Sequence, residues 1–235
     1  MAGGCFRNGV LSSGTKVNIC FPIYTLNDEM AVTSFLLFDL GGVLIENAVF
    51  SRLAALLPEP AEEAVLRRRW LASSAIGAFE RGELGRDEFA AQFIAEWDLP
   101  LSPAAFLEEF HAWPRGFFPG AQALLRELRL SYQVGCLSNC NEVHWEKFGG
   151  FGDEFDIALS SHRLGAIKPE AEAFRRALGV CGYPPEEILF FDDTQDNVLV
   201  ARQFGLRAFR VDGVAAIRQI LINEGILLSN LFERA

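Results

Sequence analysis

Asp39 ends an apolar run, Ser34-Phe35-Leu36-Leu37-Phe38-Asp39, and leads straight into Leu40-Gly41-Gly42-Val43-Leu44. A carboxylate at the carboxyl end of a buried strand, followed by glycines, stands where open α/β folds place their reacting groups. Three later segments join it in order. Val134-Gly135-Cys136-Leu137-Ser138-Asn139 is a second apolar run, ending in a hydroxyl and an amide. Lys168-Pro169 follows, with Pro169 suited to the first position of a helix and Lys168 held extended by the proline after it. Ile188-Leu189-Phe190-Phe191-Asp192-Asp193-Thr194-Gln195-Asp196-Asn197 closes the series with paired carboxylates. Singly, these groups read as a turn acid, a helix cap, a surface lysine and turn chemistry. Together they offer carboxylate chemistry with hydrogen-bond donors and one cation.

In this order and at these strand ends, the four segments resemble the motifs of the haloacid dehalogenase superfamily, over roughly residues 35 to 213. The resemblance implies a Mg²⁺-dependent phosphatase that hydrolyses a small phosphorylated metabolite, such as a sugar phosphate, through an aspartyl-phosphate. It makes Asp39 the nucleophile. It makes the Asp39 side chain, the Gly41 carbonyl and Asp193 the metal ligands, with Asp192 and Asn197 supporting the metal from just outside. Ser138 and the backbone N–H of Asn139 then hold the transferring phosphoryl group, and Lys168 balances the charge of Asp39 and phosphate. The physics is consistent with that division of labour. A carboxylate and a phosphate repel by about 4 kcal/mol per charge pair at 4 Å and an effective dielectric near 20. A hard cation with oxygen ligands offsets the repulsion and polarises the phosphoryl oxygens.

One residue departs from the family pattern. Phosphatases of the superfamily usually carry a second aspartate two residues after the nucleophile, as acid and base for the leaving alcohol, and here that residue is Gly41. General acid–base catalysis supplies about 10²- to 10⁴-fold, so its loss predicts a slower enzyme or a leaving group that needs less help. The run Asp39-Leu40-Gly41 with Phe191-Asp192-Asp193 is similar to sugar-1-phosphate phosphatases, and to the phosphatase domain of epoxide hydrolases. Phe79-Glu80-Arg81-Gly82-Glu83 resembles the loop that a helical cap lowers toward the leaving group, which makes Glu80 and Arg81 candidate substrate-binding residues. Glu46 is a further candidate acid. Two rival readings stand beside the phosphatase: a non-catalytic phosphometabolite-binding protein, and a haloacid dehalogenase, against which the Asp192-Asp193 pair speaks.

The elements that position these groups follow from periodicity. Ser138 comes 99 positions after Asp39, far more than one βα crossover needs. Between about 50 and 113, apolar residues recur at helical spacing, among them Leu53, Leu66, Trp70, Phe89, Phe93, Trp97, Phe106 and Phe110. Ser102-Pro103 is a helix start. The expected organisation is an extension over 1–33, a three-layer Rossmann-like core of parallel strands over 34–48 plus 116–235, and an inserted helical cap over 49–115. Strands are expected at 134–139, 155–159, 188–192 and 208–211, with a helix from Pro169 to Val180.

Composition bounds the rest. The chain has 235 residues, 50% hydrophobic and 22% charged, enough for one α/β domain with an insert. A net charge of -10 argues against nucleic acid or an anionic membrane as partner. Five cysteines without a CxxC, and no secretory run, point to reduced thiols in the cytoplasm. The expected assembly is a monomer or homodimer. Arg67-Arg68-Arg69 reads as a mostly solvated helix run, Trp70, Trp97 and Trp113 as packing within the insert, and His111, His144 and His162 as surface or capping groups.

Overall fold

The computed structural model describes residues 32–228. The extension expected over 1–33 thus falls almost wholly outside the described residues.

The chain opens with β1 (Phe35–Phe38) and β2 (Ile45–Asn47). Five helices follow: α1 (Val49–Leu56), α2 (Glu63–Leu71), α3 (Ser74–Glu80), α4 (Arg86–Trp97) and α5 (Pro103–His111). Next come β3 (Pro114–Phe117), α6 (Ala121–Leu128), β4 (Gln133–Ser138), α7 (Glu142–Lys147), β5 (Ile157–Ser160) and α8 (Ser161–Leu164). The chain continues with α9 (Ala171–Cys181), β6 (Ile188–Asp192), α10 (Gln195–Gln203), β7 (Arg207–Arg210) and α11 (Gly213–Asn223).

Five strands form a parallel sheet in the order β5-β4-β1-β6-β7. Period-two alternation explains why β1 sits at its centre. Leu36 and Phe38 enter one hydrophobic core while Phe35 and Leu37 enter the other, and β6 divides Leu189 and Phe191 from Ile188 and Phe190 in the same way. A strand apolar on both faces is stable only between two helical layers. Burying each such Phe or Leu contributes about 1.5–3 kcal/mol. The sheet is therefore a Rossmann-like α/β fold, and its order reverses at β1, so the carboxyl ends of β1, β4 and β6 share one crevice.

Helices α1 to α5 pack around a core of their own, centred on Phe79, Phe89, Phe93, Phe106, Phe110, Trp97 and Trp113. The Phe79 and Phe89 rings stack with centroids 4.0 Å apart, and Trp70 meets Phe93 edge-on. Ser102 caps α5 by accepting from the Ala105 N–H at 3.3 Å, with Pro103 in the first turn. Arg67 and Arg69 lay their guanidinium groups over the Phe50 and Trp97 rings, at 4.4 and 4.2 Å from the centroids.

Three features differ from the periodicity. The helix expected from Pro169 begins at Ala171, because the Glu170 N–H donates to Ile167 O at 2.9 Å and closes a turn over Lys168 and Pro169, whose peptide bond is cis. The strand expected from Phe155 begins at Ile157, with Phe155 buried against the Trp145 and Phe151 side of the core instead. Antiparallel β2 and β3, three and four residues long, were too short to register as strands in the periodicity.

Candidate active site

Asp39, Ser138 and Asp192 stand at or just beyond the carboxyl ends of β1, β4 and β6, adjacent strands in one register. All three are buried, Asp39 at 8% exposure and Asp192 at none. Lys168 arrives from the loop before α9 and lies between two of them. Its Nζ is 2.9 Å from Asp39 Oδ1 and 2.6 Å from Asp192 Oδ2. Asn139 fixes the backbone that delivers it. The Asn139 side chain accepts from the Lys168 N–H and donates to the Lys168 carbonyl, each at 2.8 Å. That two-point clamp also accounts for the turn at Pro169.

Asp192 is committed on both oxygens. Oδ1 accepts from the Thr194 N–H at 2.8 Å and from Asn197 Nδ2 at 2.9 Å, and Oδ2 accepts from Lys168 and Asn197. It anchors the lysine from behind. Asp39 and Asp193 are less compensated. Burial pushes the Asp39 carboxyl up to about 7; Lys168 pulls it back, and the charges on Asp192 and Asp193 push it up again. Burial and then Asp192 raise Asp193 as well. Burial alone would lower Lys168, but Asp192 and Asp39 hold it charged, well above the usual lysine range. One cation thus serves two carboxylates, and its shorter contact is with Asp192.

Asp39, Asp192 and Asp193 each offer a carboxylate oxygen, all within 4.8 Å of one another. The Gly41 carbonyl receives no hydrogen bond among the described residues. The buried Asn197 Oδ1 is likewise without a partner among them. Carboxylate oxygens with spare carbonyl and amide oxygen acceptors are the donor set of a hard divalent cation, and Lys168 offsets part of their charge. Gly42 is required by the packing beside it: a Cβ there would stand 2.7 Å from Asp193 Oδ2, at φ +76°.

Helix α3 brings Glu80 toward the same cluster. Its carboxyl is pushed up to about 7, chiefly by burial and then by the charge of Asp39. Glu80 makes no hydrogen bond or ion pair among the described residues. The next residue, Arg81, is ion-paired with Glu170, two positions after Lys168. Gly82 closes the contact: a Cβ on it would lie 2.3 Å from the His162 carbonyl oxygen. Glu46 is elsewhere, exposed and held by Arg115 Nη1 at 2.5 Å.

A cavity of about 60 Å³ adjoins the strand ends, lined by Gly41, Ser138 and Asn139 together with Asn47, His144 and Phe148. His144 is not a surface group. Its ring stacks on Phe110, Nε2 donates to the Phe110 carbonyl at 2.8 Å, Nδ1 accepts from Asn141 Nδ2, and burial pulls its pKa down to about 4. Cys136 and Cys140 are both buried, and burial pushes both thiols up, Cys136 to about 12, so neither is a poised nucleophile.

The profile of the haloacid dehalogenase-like hydrolase family matches residues 34–205, which span all of these groups. The chain belongs to that family. Within it, D-ribitol-5-phosphate phosphatase of Bacteroides thetaiotaomicron is 28% identical over 200 residues, covering 79% of this chain and 95% of the relative. Drimenol cyclase of Aspergillus calidoustus is 28% identical over 183 residues, but these cover only 33% of the cyclase. A family enzyme from Bacteroides thetaiotaomicron, solved with magnesium and inorganic phosphate, superposes with a TM-score of 0.64 at 23% identity, over 76% of this chain and 93% of that one. This likeness confirms the fold.

The fold brings together Asp39, Lys168, Asp192 and Asp193, with Ser138 and Asn139 at the adjoining strand end, Glu80 near them on α3, and Arg81 paired with Glu170. Two contributions escaped the sequence reading: the Asn139 side-chain clamp and the Arg81–Glu170 link. An amide at a strand end signals turn chemistry but does not name its partner, here 29 positions away.

Proposed function

We propose that this chain is a Mg²⁺-dependent phosphatase of small phosphomonoesters, with a phosphorylated sugar or polyol as the class of substrate. The observation that carries the reading is the convergence of Asp39, Lys168 and Asp193 from three separate segments onto one buried cluster, in a chain of this family. The phosphatase relative, which the chain matches along 95% of its length, supports the same class.

In this mechanism an Asp39 carboxylate oxygen attacks phosphorus and the bond from phosphorus to the leaving oxygen breaks. The leaving oxygen takes up a proton, and water then cleaves the aspartyl-phosphate to restore Asp39 and release inorganic phosphate. Lys168, kept charged by Asp192, neutralises the nucleophile and the incoming phosphoryl group. The Ser138 hydroxyl and the Asn139 N–H orient the phosphoryl oxygens. Asp39, Asp193 and the Gly41 carbonyl would hold Mg²⁺, with Asp192 and Asn197 behind them. When bound, the ion supplies charge neutralisation and polarisation of the phosphoryl group. Helices α1 to α5 act as the cap, with Glu80 and Arg81 as its substrate-facing residues. Four buried aromatic rings pack around Phe89 and tie three of the cap's helices into one core.

The test is phosphate release from sugar phosphates, polyol phosphates and nucleotides, with Mg²⁺ and with EDTA. Wild type should turn over only with the metal, and Asp39→Asn should lose at least about 10³-fold. Metal-independent turnover, or a mutant as active as wild type, would sink the reading.

A further inference from the structure

Gly41 leaves the lining of the cavity without a side chain at its position, and a neighbouring residue reaches into the space beside it. A Cβ built on Gly41 would lie 3.5 Å from Asn47 Nδ2, and no other heavy atom comes within 4 Å of it. Asn47 ends β2 and lines the cavity that begins at Gly41 and Ser138. Its orientation is set locally, because Oδ1 accepts from the Val49 N–H at 3.0 Å, an Asx turn leading into α1. With the oxygen committed to the backbone, the amide N–H groups are the end turned toward Gly41.

Most other polar side chains that line the cavity are engaged. Both ring nitrogens of His144 are taken, by the Phe110 carbonyl and by Asn141, and the Asn139 amide is spent on the Lys168 backbone. Pro114, Ile45, Phe148 and Phe151 present carbon. Among the described residues that line the cavity, the Ser138 hydroxyl and Nδ2 of the exposed Asn47 are thus the free side-chain donors, and Ser138 faces the phosphoryl group in the reading above. Asn47 belongs to the segment that carries Asp39, eight positions on, and stands beside the residue two positions after the nucleophile.

We infer that Asn47 donates a hydrogen bond from Nδ2 to the oxygen that leaves phosphorus, and so selects small alkyl phosphates whose leaving oxygen needs that support. The inference rests on the phosphatase reading above. An amide cannot hand over its proton at neutral pH, so its contribution is electrostatic: it stabilises negative charge as the phosphorus–oxygen bond breaks. The proton that completes the leaving alcohol comes from water. The cavity, about 60 Å³ and lined by Ile45, Pro114 and Phe148 beside Gly41 and Asn47, suits a leaving group of a few carbon atoms.

The experiment compares wild type, Asn47→Ser and Asp39→Asn on two substrates with Mg²⁺ present: glycerol phosphate, whose alkoxide leaves poorly, and p-nitrophenyl phosphate, whose phenolate leaves well. Serine keeps an acceptor for the Val49 N–H but cannot reach Gly41. Turnover of glycerol phosphate by Asn47→Ser should fall about 10²-fold, mainly in kcat, and that of p-nitrophenyl phosphate less than fivefold. Equal losses on both substrates, or no loss on either, would overturn the role of Asn47 while leaving the phosphatase standing. Inactive wild type, or an active Asp39→Asn, would remove the phosphatase and the inference with it. If Asn47→Ser does not fold, Asn47→Asp keeps the turn acceptor and must show the same dependence on the leaving group at pH 8.

Discussion

Lys168 carries more of this site's electrostatics than any other single residue. It is buried, serves Asp39 and Asp192 together, and owes its place to the Asn139 clamp. Lys168→Met should therefore abolish turnover and destabilise the fold by about 3–5 kcal/mol, since it strands two buried carboxylates; urea unfolding at pH 8 measures this. Glu80 behaves oppositely. Its carboxyl ionises near pH 4.5 when unfolded and at about 7 in the fold. Stability linked to Glu80 is thus complete below pH 4.5 and is lost as pH rises through 7, where a half-buried carboxylate must be accommodated. Glu80→Gln should match wild type at pH 4.5 and exceed it at pH 8 by about 1–3 kcal/mol, read from denaturant midpoints. A variant equally stable at both pH values would show that Glu80 is not held in a desolvated position.

Among the elements, α3 has the most consequential placement. The glycine after its last turn allows the chain to lie against the His162 carbonyl, and Arg81 ties it to Glu170, next to the Lys168 turn. Gly82 has φ +74°, so Gly82→Ala meets both backbone strain and collision. It should cost about 2 kcal/mol, a fall in Tm of roughly 4–8 °C, and should raise KM as the helical insert loosens from the core. The Arg81–Glu170 pair is partly exposed, so Arg81→Ala should change stability by less than about 1 kcal/mol. The start of α9 at Ala171 shows why helix signals misled here. Pro169 fits a helix start, but the clamp on Lys168 holds a turn there, and tertiary contact overrides local preference.

For the molecule as a whole, a net charge of -10 surrounds a site meant for an anion, so the attraction must be local. Three carboxylates against one lysine leave the cluster under-compensated, and a divalent cation should stabilise the fold by mass action, about 2.7 kcal/mol at a hundredfold excess over Kd. Tm should rise with added Mg²⁺ and not with NaCl of equal ionic strength; an unchanged Tm would argue against the cluster as a metal site. Among the described residues, no helix is long and apolar enough to cross a membrane. The linear chain determined the central strands, because runs such as Phe35-Leu36-Leu37-Phe38 can be satisfied only between two layers, and it determined which residues end those strands. It also determined the capped helix at Ser102-Pro103, where the signal lies within four residues. What tertiary structure alone decided are contacts between segments far apart in sequence: Asn139 with Lys168, Arg81 with Glu170, and Gly82 with His162. Asn47 belongs with them. Its approach to Gly41 depends on β2 pairing with β3, a ribbon of three and four residues whose partner lies beyond five helices. Local periodicity carries no trace of such a pairing, because the energy that fixes it comes from the folded neighbours and not from the segment itself.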